Sequence, residues 1–424
     1  MQANTIQVPR PRMTRPVVAA LAVLASCAAW AEDPNPYYIG ISERLTHDTN
    51  IYRTPNPITD DYSTASLVGG FDQAIGRQRI YAAGTIGYNR YRDQTTLNHT
   101  SYGVNAGWDW ASIEKFSGNV YVNANQGLAT VNGNSIVPTS TANILNTEQL
   151  GASLQWGDAR LSAVGTYGHS RVNYSAPEYV TSNATGNSAS AGLYYSTNPD
   201  LKVGVALRFT RTETPSYSPH FPTPVPVPPV PDYYLPNTDD GRNLDFTANW
   251  QATAQTGINA RLSWTKTTNS NPAAQDFSGP TGAIYANYAP TAKLAFNAGV
   301  SRSAGTYGSY FNNPNAPIGA PVTGLNPYSQ TTDAYSLGAA YAATPKISVN
   351  ATVAHNYSKY AYPAAPTVDY DDNLRTASLG VTYVGAKHWS LGCNTAYESR
   401  NVSGPGRYWY TGSTFSCFGQ FTLR

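Results

Sequence analysis

Apolar and polar residues alternate one by one in segment after segment of this chain. In the stretch Y-G-V-N-A-G-W-D-W, Tyr102, Val104, Ala106, Trp108 and Trp110 fall on one face of an extended backbone. Gly103, Asn105, Gly107 and Asp109 fall on the other. Side chains of a strand point alternately to opposite sides, so this is a strand with one apolar and one polar face. The pattern recurs near residues 37–45, 62–72, 79–90, 100–110, 116–126, 148–156, 159–170, 188–196 and 201–211. It continues near 242–252, 257–266, 281–289, 293–302, 333–342, 346–357, 374–384, 388–398 and 413–423. No stretch reads as a helix. Most of these segments are about nine to twelve residues long, the length a tilted strand needs to cross a bilayer. Strands of soluble proteins usually run about five or six.

The connections alternate short and long. Short ones include Ala111–Lys115, Gly157–Asp158, Thr197–Asp200, Thr253–Thr256, Pro290–Ala292, Ala343–Pro345 and Gly385–Lys387. Long ones include 46–61, 127–147, 171–187, 212–241, 267–280, 303–332, 358–373 and 399–412. A membrane barrel sorts its connections this way, with short turns on the periplasmic side and long loops outside. The prediction is an all-β, transmembrane, antiparallel up-and-down β-barrel of about eighteen strands. An even number leaves both ends of the barrel in the periplasm. The face of Trp108 and Trp110 then meets lipid, in an aromatic girdle beside the Ala111–Lys115 turn.

Charge obeys the same phase. Charged residues make up 12% of the chain, against about 25% in soluble domains. Mean hydropathy is −0.38, which excludes a helical membrane protein. Leu201, Val203, Val205, Leu207 and Phe209 share a face, with Lys202 and Arg208 opposite. Ile258, Ala260, Leu262 and Trp264 share another, with Arg261 opposite. Turning any of those cations to lipid would cost roughly 2–4 kcal/mol at the midplane. Lys202, Arg208, Arg261, Asp245, Asn119, Tyr121, Asn123, Asn125, Gln149 and Gln155 are therefore the lumen-lining candidates. A wall of amides, hydroxyls and rings suits sugars or ions; any water-filled barrel is also polar inside.

The first 31 residues read as a secretory signal. Arg10, Arg12 and Arg15 precede an apolar run from Val17 to Ala25, and Ala29-Trp30-Ala31 forms an A-x-A cleavage site. Leu24-Ala25-Ser26-Cys27 offers a rival, a lipobox with Cys27 as lipid anchor. Removing residues 1–31 takes away three arginines and no acid, leaving 24 basic against 25 acidic residues. Such a balance gives no field for nucleic acid.

If Cys27 leaves with the signal, Cys393 and Cys417 remain. They flank Gly404-Pro405-Gly406 almost symmetrically, which sets them opposite each other in the last hairpin. An even pair in an exported chain suggests a disulfide; two free thiols are the competing reading. Two cysteines lack the ligand number of a structural metal site. Asp369, Asp371, Asp372 and Asn373, and likewise Asn237, Asp239 and Asp240, resemble fragments of calcium loops. Neither set has the full spacing or a closing glutamate, and solvated loop acids are the simpler reading. No cofactor is expected. Thr212–Asp240 carries nine prolines and reads as an extracellular loop unable to join a ladder. Enzyme signatures are lacking: Gly168-His169-Ser170 is no nucleophile elbow, and adjacent strand residues point apart.

The stretch I-S-E-R-L-T-H-D-T-N-I-Y-R (Ile41–Arg53) resembles the first-strand signature of outer-membrane β-barrel proteins of the EpsL-like kind. There an acidic residue, an asparagine and an aromatic before arginine follow an extended run. Y-T-G-S-T-F-S-C-F-G-Q-F-T-L-R (Tyr410–Arg424) resembles the closing strand of the same group. Together the motifs cover about thirty residues. The resemblance implies a pore associated with exopolysaccharide biosynthesis and export, with polysaccharide, periplasmic export components and the barrel-insertion machinery as partners. A departure is the end Phe421-Thr422-Leu423-Arg424, where many barrels finish on an aromatic. A general diffusion porin and a non-conducting surface or scaffold barrel are the alternative readings.

Overall fold

The computed structural model describes residues 36–113, 115–129, 142–158, 160–220, 233–272, 274–307, 328–361, 370–385, 388–403 and 409–423. The signal segment, Cys27, Asp369 and the prolines between 221 and 232 lie outside the described residues. Eighteen strands follow in chain order: β1 (Tyr37–Asp48), β2 (Asp60–Ile75), β3 (Gln78–Tyr91), β4 (His99–Ala111), β5 (Phe116–Leu128) and β6 (Ile144–Gly157). Then come β7 (Leu161–Tyr174), β8 (Ala184–Asn198), β9 (Leu201–His220), β10 (Tyr233–Thr253), β11 (Thr256–Asn269) and β12 (Phe277–Thr291). The last are β13 (Leu294–Tyr307), β14 (Tyr328–Thr344), β15 (Ile347–Ala361), β16 (Tyr370–Val384), β17 (Trp389–Val402) and β18 (Tyr410–Leu423). Every strand pairs antiparallel with its sequence neighbours, and β1 pairs with β18 from Ile39↔Leu423 to Asp48↔Thr414. The sheet is closed, so no strand offers a free edge within the wall.

Register fixes which residues share a face. Leu207, Leu244 and Trp264 are directly paired across β9, β10 and β11, and all stay exposed. The same outward phase carries Leu67, Ile86, Leu193, Phe209, Leu262, Leu391 and Phe415, exposed likewise. So continuous an apolar exterior is incompatible with water and suits lipid. Beside the short turns the outward rings include Trp108, Phe116, Trp156, Trp250 and Trp389. Trp108 and Trp110 have centroids 6.2 Å apart, and Trp389 and Phe421 4.7 Å. This is an aromatic girdle at the end where the expected one lies. Charge interrupts the outward phase at the cross-strand pairs Glu148↔Arg171 and Arg302↔Asp333, and nearer the short turns at Glu43. Glu43 stands opposite Gly419 among Ile41, Leu67 and Phe421.

Two expectations need correcting. The strands run 12 to 21 residues rather than nine to twelve, because pairing continues above the bilayer-spanning portion. The Pro-rich segment also joins the ladder at both ends. β9 and β10 pair as far as His220↔Tyr233, with Pro219 opposite Tyr234. β8 accompanies β9 only to Glu213 and β11 accompanies β10 only to Asp239. Beyond those points the hairpin has two outer edges, where a proline sacrifices no partner. Pro236 sits at the register shift between Leu235 and Asn237.

Candidate functional site in the barrel lumen

The ten lumen candidates all occupy the phase opposite the apolar exterior, and the structure sorts them into two walls. Asn119, Tyr121, Asn123 and Asn125 on β5 lie beside Gln149 and Gln155 on β6, with Asn123 directly opposite Gln149. Asn105 on β4 donates to the Asn123 carbonyl, and Asn119 donates to Asp109. This wall is an amide ladder.

The second wall spans β9 to β12. Arg208 grips Asp245 with two hydrogen bonds, Nε to Oδ2 at 2.8 Å and Nη2 to Oδ1 at 3.1 Å. Such paired contacts fix both side chains. The Asn243 amide donates to the Arg208 carbonyl at 3.3 Å. The Thr265 hydroxyl donates to Asn243 Oδ1 at 2.7 Å and lies 2.7 Å from the Thr281 hydroxyl. Polar bonds thus run unbroken across four strands. Below them Arg261, Tyr194, Asn249, Asn259 and Tyr285 line a recess of about 330 Å³. Lys202 Nζ lies 5.5 Å from the Tyr194 ring centroid.

Register also produces a feature that the sequence reading missed apart from Tyr121. In the periplasmic half of the wall, six inward rings each face a glycine directly across the ladder. The pairs are Tyr38–Gly70, Tyr81–Gly107, Tyr121–Gly151, Tyr194–Gly204, Tyr285–Gly299 and Phe418–Gly392. A Cβ on Gly70 would fall 2.8 Å from the Tyr38 ring, and one on Gly299 2.9 Å from Tyr285. Only glycine lets the ring lie down on its neighbour's backbone. Among the described residues, no other inward aromatic occurs in that half of the wall.

At the extracellular end, side chains of the β1–β2 connection pack against the inner wall at β1 and β18. The β1–β2 connection turns inward, with Arg53 at a positive φ of 52°. Its Nη1 donates to Asp48 Oδ1 at 2.7 Å and Oδ2 at 3.0 Å, and its guanidinium rests over Gly412. Burial works against this charge. The bonds and ion pair to Asp48, with Glu398 and Tyr410 nearby, together outweigh burial and hold the guanidinium above its usual value. Glu398 lies 4.0 Å from Arg53 and accepts from the Tyr410 hydroxyl. Asn50 Nδ2 donates to the Thr411 carbonyl at 2.9 Å and to Thr54 O at 2.7 Å. Asp48, Asn50, Arg53 and Tyr410 come from the two terminal motifs, and here they latch the seam where β1 meets β18. Next to them Arg400 and Asp372 form a buried ion pair, with Nε 3.0 Å from both carboxylate oxygens and the Tyr360 hydroxyl donating at 3.1 Å.

The remaining motif residues have ordinary partners. Asp371 accepts from the Ser403 hydroxyl at 2.5 Å, and Asn237 Nδ2 donates to Asn269 at 2.9 Å. Asp240 lies 3.9 Å from Arg211. Cys393 and Cys417 are directly paired and joined by a disulfide, with Cα atoms 4.0 Å apart. They sit on the outward phase with Leu391 and Phe415. His169 bonds outward to Asn187 at 2.9 Å, whereas Ser170 pairs inward with Gln149.

No protein-family model and no curated protein matches the sequence. Among solved structures, OccK1 (OpdK) of Pseudomonas aeruginosa aligns at 10% identity over 91% of this chain and 99% of its own, with a TM-score of 0.46. A bacterial polysaccharide outer membrane secretin aligns at 12% identity over 93% of this chain and 100% of its own, TM-score 0.36. The siderophore receptor PirA of Acinetobacter baumannii aligns at 6% identity over 93% and 81%, TM-score 0.41. The outer-membrane barrel architecture rests on the pairing and apolar exterior of this chain's own strands.

Proposed function

We propose that this barrel is an outer-membrane pore taking part in the export of an extracellular polysaccharide. The observation that carries the reading is the lumen wall itself. Eighteen strands leave space for an aqueous channel, and that channel is lined by amides, hydroxyls and rings, with Arg208 neutralised by Asp245. Amides and hydroxyls exchange hydrogen bonds with sugar hydroxyls and hold no single ion tightly. The resemblance of the two terminal segments to EpsL-like barrels supports the same direction. Polysaccharide would enter from periplasmic export components, and the barrel would reach the membrane through the insertion machinery.

Single-channel conductance of the refolded chain in a planar bilayer tests the pore. A steady conductance is expected, and addition of the native polysaccharide should block it. Deleting the gene should abolish secretion of that polymer; normal secretion would refute the export role and leave a general diffusion porin. One observation favours a non-conducting surface barrel instead, namely the inward-packed β1–β2 connection over Gly412. Zero conductance from a verified folded barrel would support that reading.

A further inference from the structure

We infer that the six ring–glycine pairs form a saccharide-contact band along the periplasmic half of the lumen. This inference rests on the polysaccharide reading above and assigns its contact residues: Tyr38, Tyr81, Tyr121, Tyr194, Tyr285 and Phe418. One face of each ring covers a glycine in the next strand, which shields that strand's backbone. That role uses only one face. Tyr121 and Tyr285 are open to the lumen, 37% and 51% exposed, and Tyr38, Tyr81, Tyr194 and Phe418 are half-buried. An aromatic lying flat on a wall presents a platform rather than an edge. The ligand that fits a flat π face in water is one with a ring-sized patch of C–H groups and polar edges, and a sugar has both. Its C–H face stacks while its hydroxyls bond to neighbouring amides.

The neighbours supply those amides. Asn249 and Asn259 share the Tyr194 and Tyr285 recess, while Asn119 and Asn123 flank Tyr121 along β5. The six rings belong to β18, β1, β3, β5, β8 and β12, spread along one arc of the wall rather than collected at one point, and β13 to β17 carry none. A spread of equivalent weak platforms suits a chain that slides better than a small molecule that stays. Three rings carry a cation over the face: Arg44 lies 5.1 Å from the Phe418 centroid, Lys202 5.5 Å from Tyr194, and Arg79, itself paired with Asp72, 5.1 Å from Tyr81. Uronic acid chains should therefore bind more tightly than neutral ones.

The test uses the folded full-length mature barrel in detergent micelles, with alginate oligomers and cello-oligosaccharides as probes. Saturation-transfer NMR and titration measure binding without requiring conduction, so a closed pore does not mask the outcome. Binding of the alginate series is expected, with weaker binding of the neutral series. Replacing both Tyr121→Ala and Tyr285→Ala should weaken it about tenfold. Tyr335→Ala on the lipid-facing phase should leave it unchanged. Should the double variant fold poorly, carbon-13 labelling of tyrosine in the wild type reads ring contact directly. Absence of binding to both series, or ring resonances that do not move on binding, overturns the inference. Conductance on the same preparation tests the pore separately. A conducting barrel that binds neither sugar series refutes the band alone, and a binding barrel that never conducts refutes the pore alone.

Discussion

Asp372 and Arg400 offer a sharp test of how the extracellular end is held together. Their side chains are 6% and 1% exposed, and the Tyr360 hydroxyl adds a further bond to the carboxylate. Asp372→Asn keeps shape and volume but leaves the guanidinium buried beside a neutral amide. Removing one partner of a buried pair typically costs about 3–5 kcal/mol, because the remaining charge stays desolvated. The expected loss in unfolding free energy is in that range, against about 0–1 kcal/mol for an exposed pair. The double change Asp372→Leu with Arg400→Met removes both charges at similar volume, so it should recover most of the loss. Denaturant titration of the refolded barrel in micelles, read by heat-modifiable gel mobility and tyrosine fluorescence, measures all three proteins. A single variant that loses less than about 1 kcal/mol would refute the claim of burial. A double variant worse than the single would refute the assignment of the loss to an uncompensated charge.

Other outcomes follow from the same geometry. Leu262→Arg on the outward phase should destabilise the folded barrel in lipid vesicles by about 2–4 kcal/mol. Arg261→Gln, one residue away but inward, should leave stability nearly unchanged and shift the reversal potential in a salt gradient toward cation selectivity. Replacing Cys393 and Cys417 by serine frees a segment with a sequence separation of 24, and the melting experiment should show a loss of about 3 kcal/mol. Asp158 Oδ1 accepts the backbone N–H groups of Arg160 and Leu161, both at 2.9 Å, in a periplasmic turn. Those bonds hold its carboxyl below the ordinary value. A depressed carboxylate stabilises the folded state above its unfolded pKa, and that stability disappears as pH falls through the folded value. The gap between wild type and Asp158→Ala should thus be full at neutral pH and close on acidification; a gap that widens in acid would overturn this.

The alternation of Leu201, Val203, Val205 and Leu207 with Lys202 and Arg208 is local information. A strand has a period of two, and the cost of a cation in lipid decides which face turns outward, so the sequence by itself determined the strands, their count and the inward phase of all ten lumen candidates. The near-symmetric placing of Cys393 and Cys417 about Gly404-Pro405-Gly406 in the sequence likewise sets them opposite each other. Strand ends were less legible. How far a ladder climbs above the bilayer depends on its neighbours, and Pro215, Pro219 and Pro236 are tolerated only because β8 and β11 have already stopped. Nothing in the sequence tells which glycine will lie under which tyrosine, since Gly151 and Tyr121 are brought together by register across a long connection. Nor does it show that Asn50 bonds to Thr411 across a separation of 361 residues. Those contacts arise when the sheet closes on itself, because closure alone brings the first strand beside the last and gives the inner wall its opposing faces.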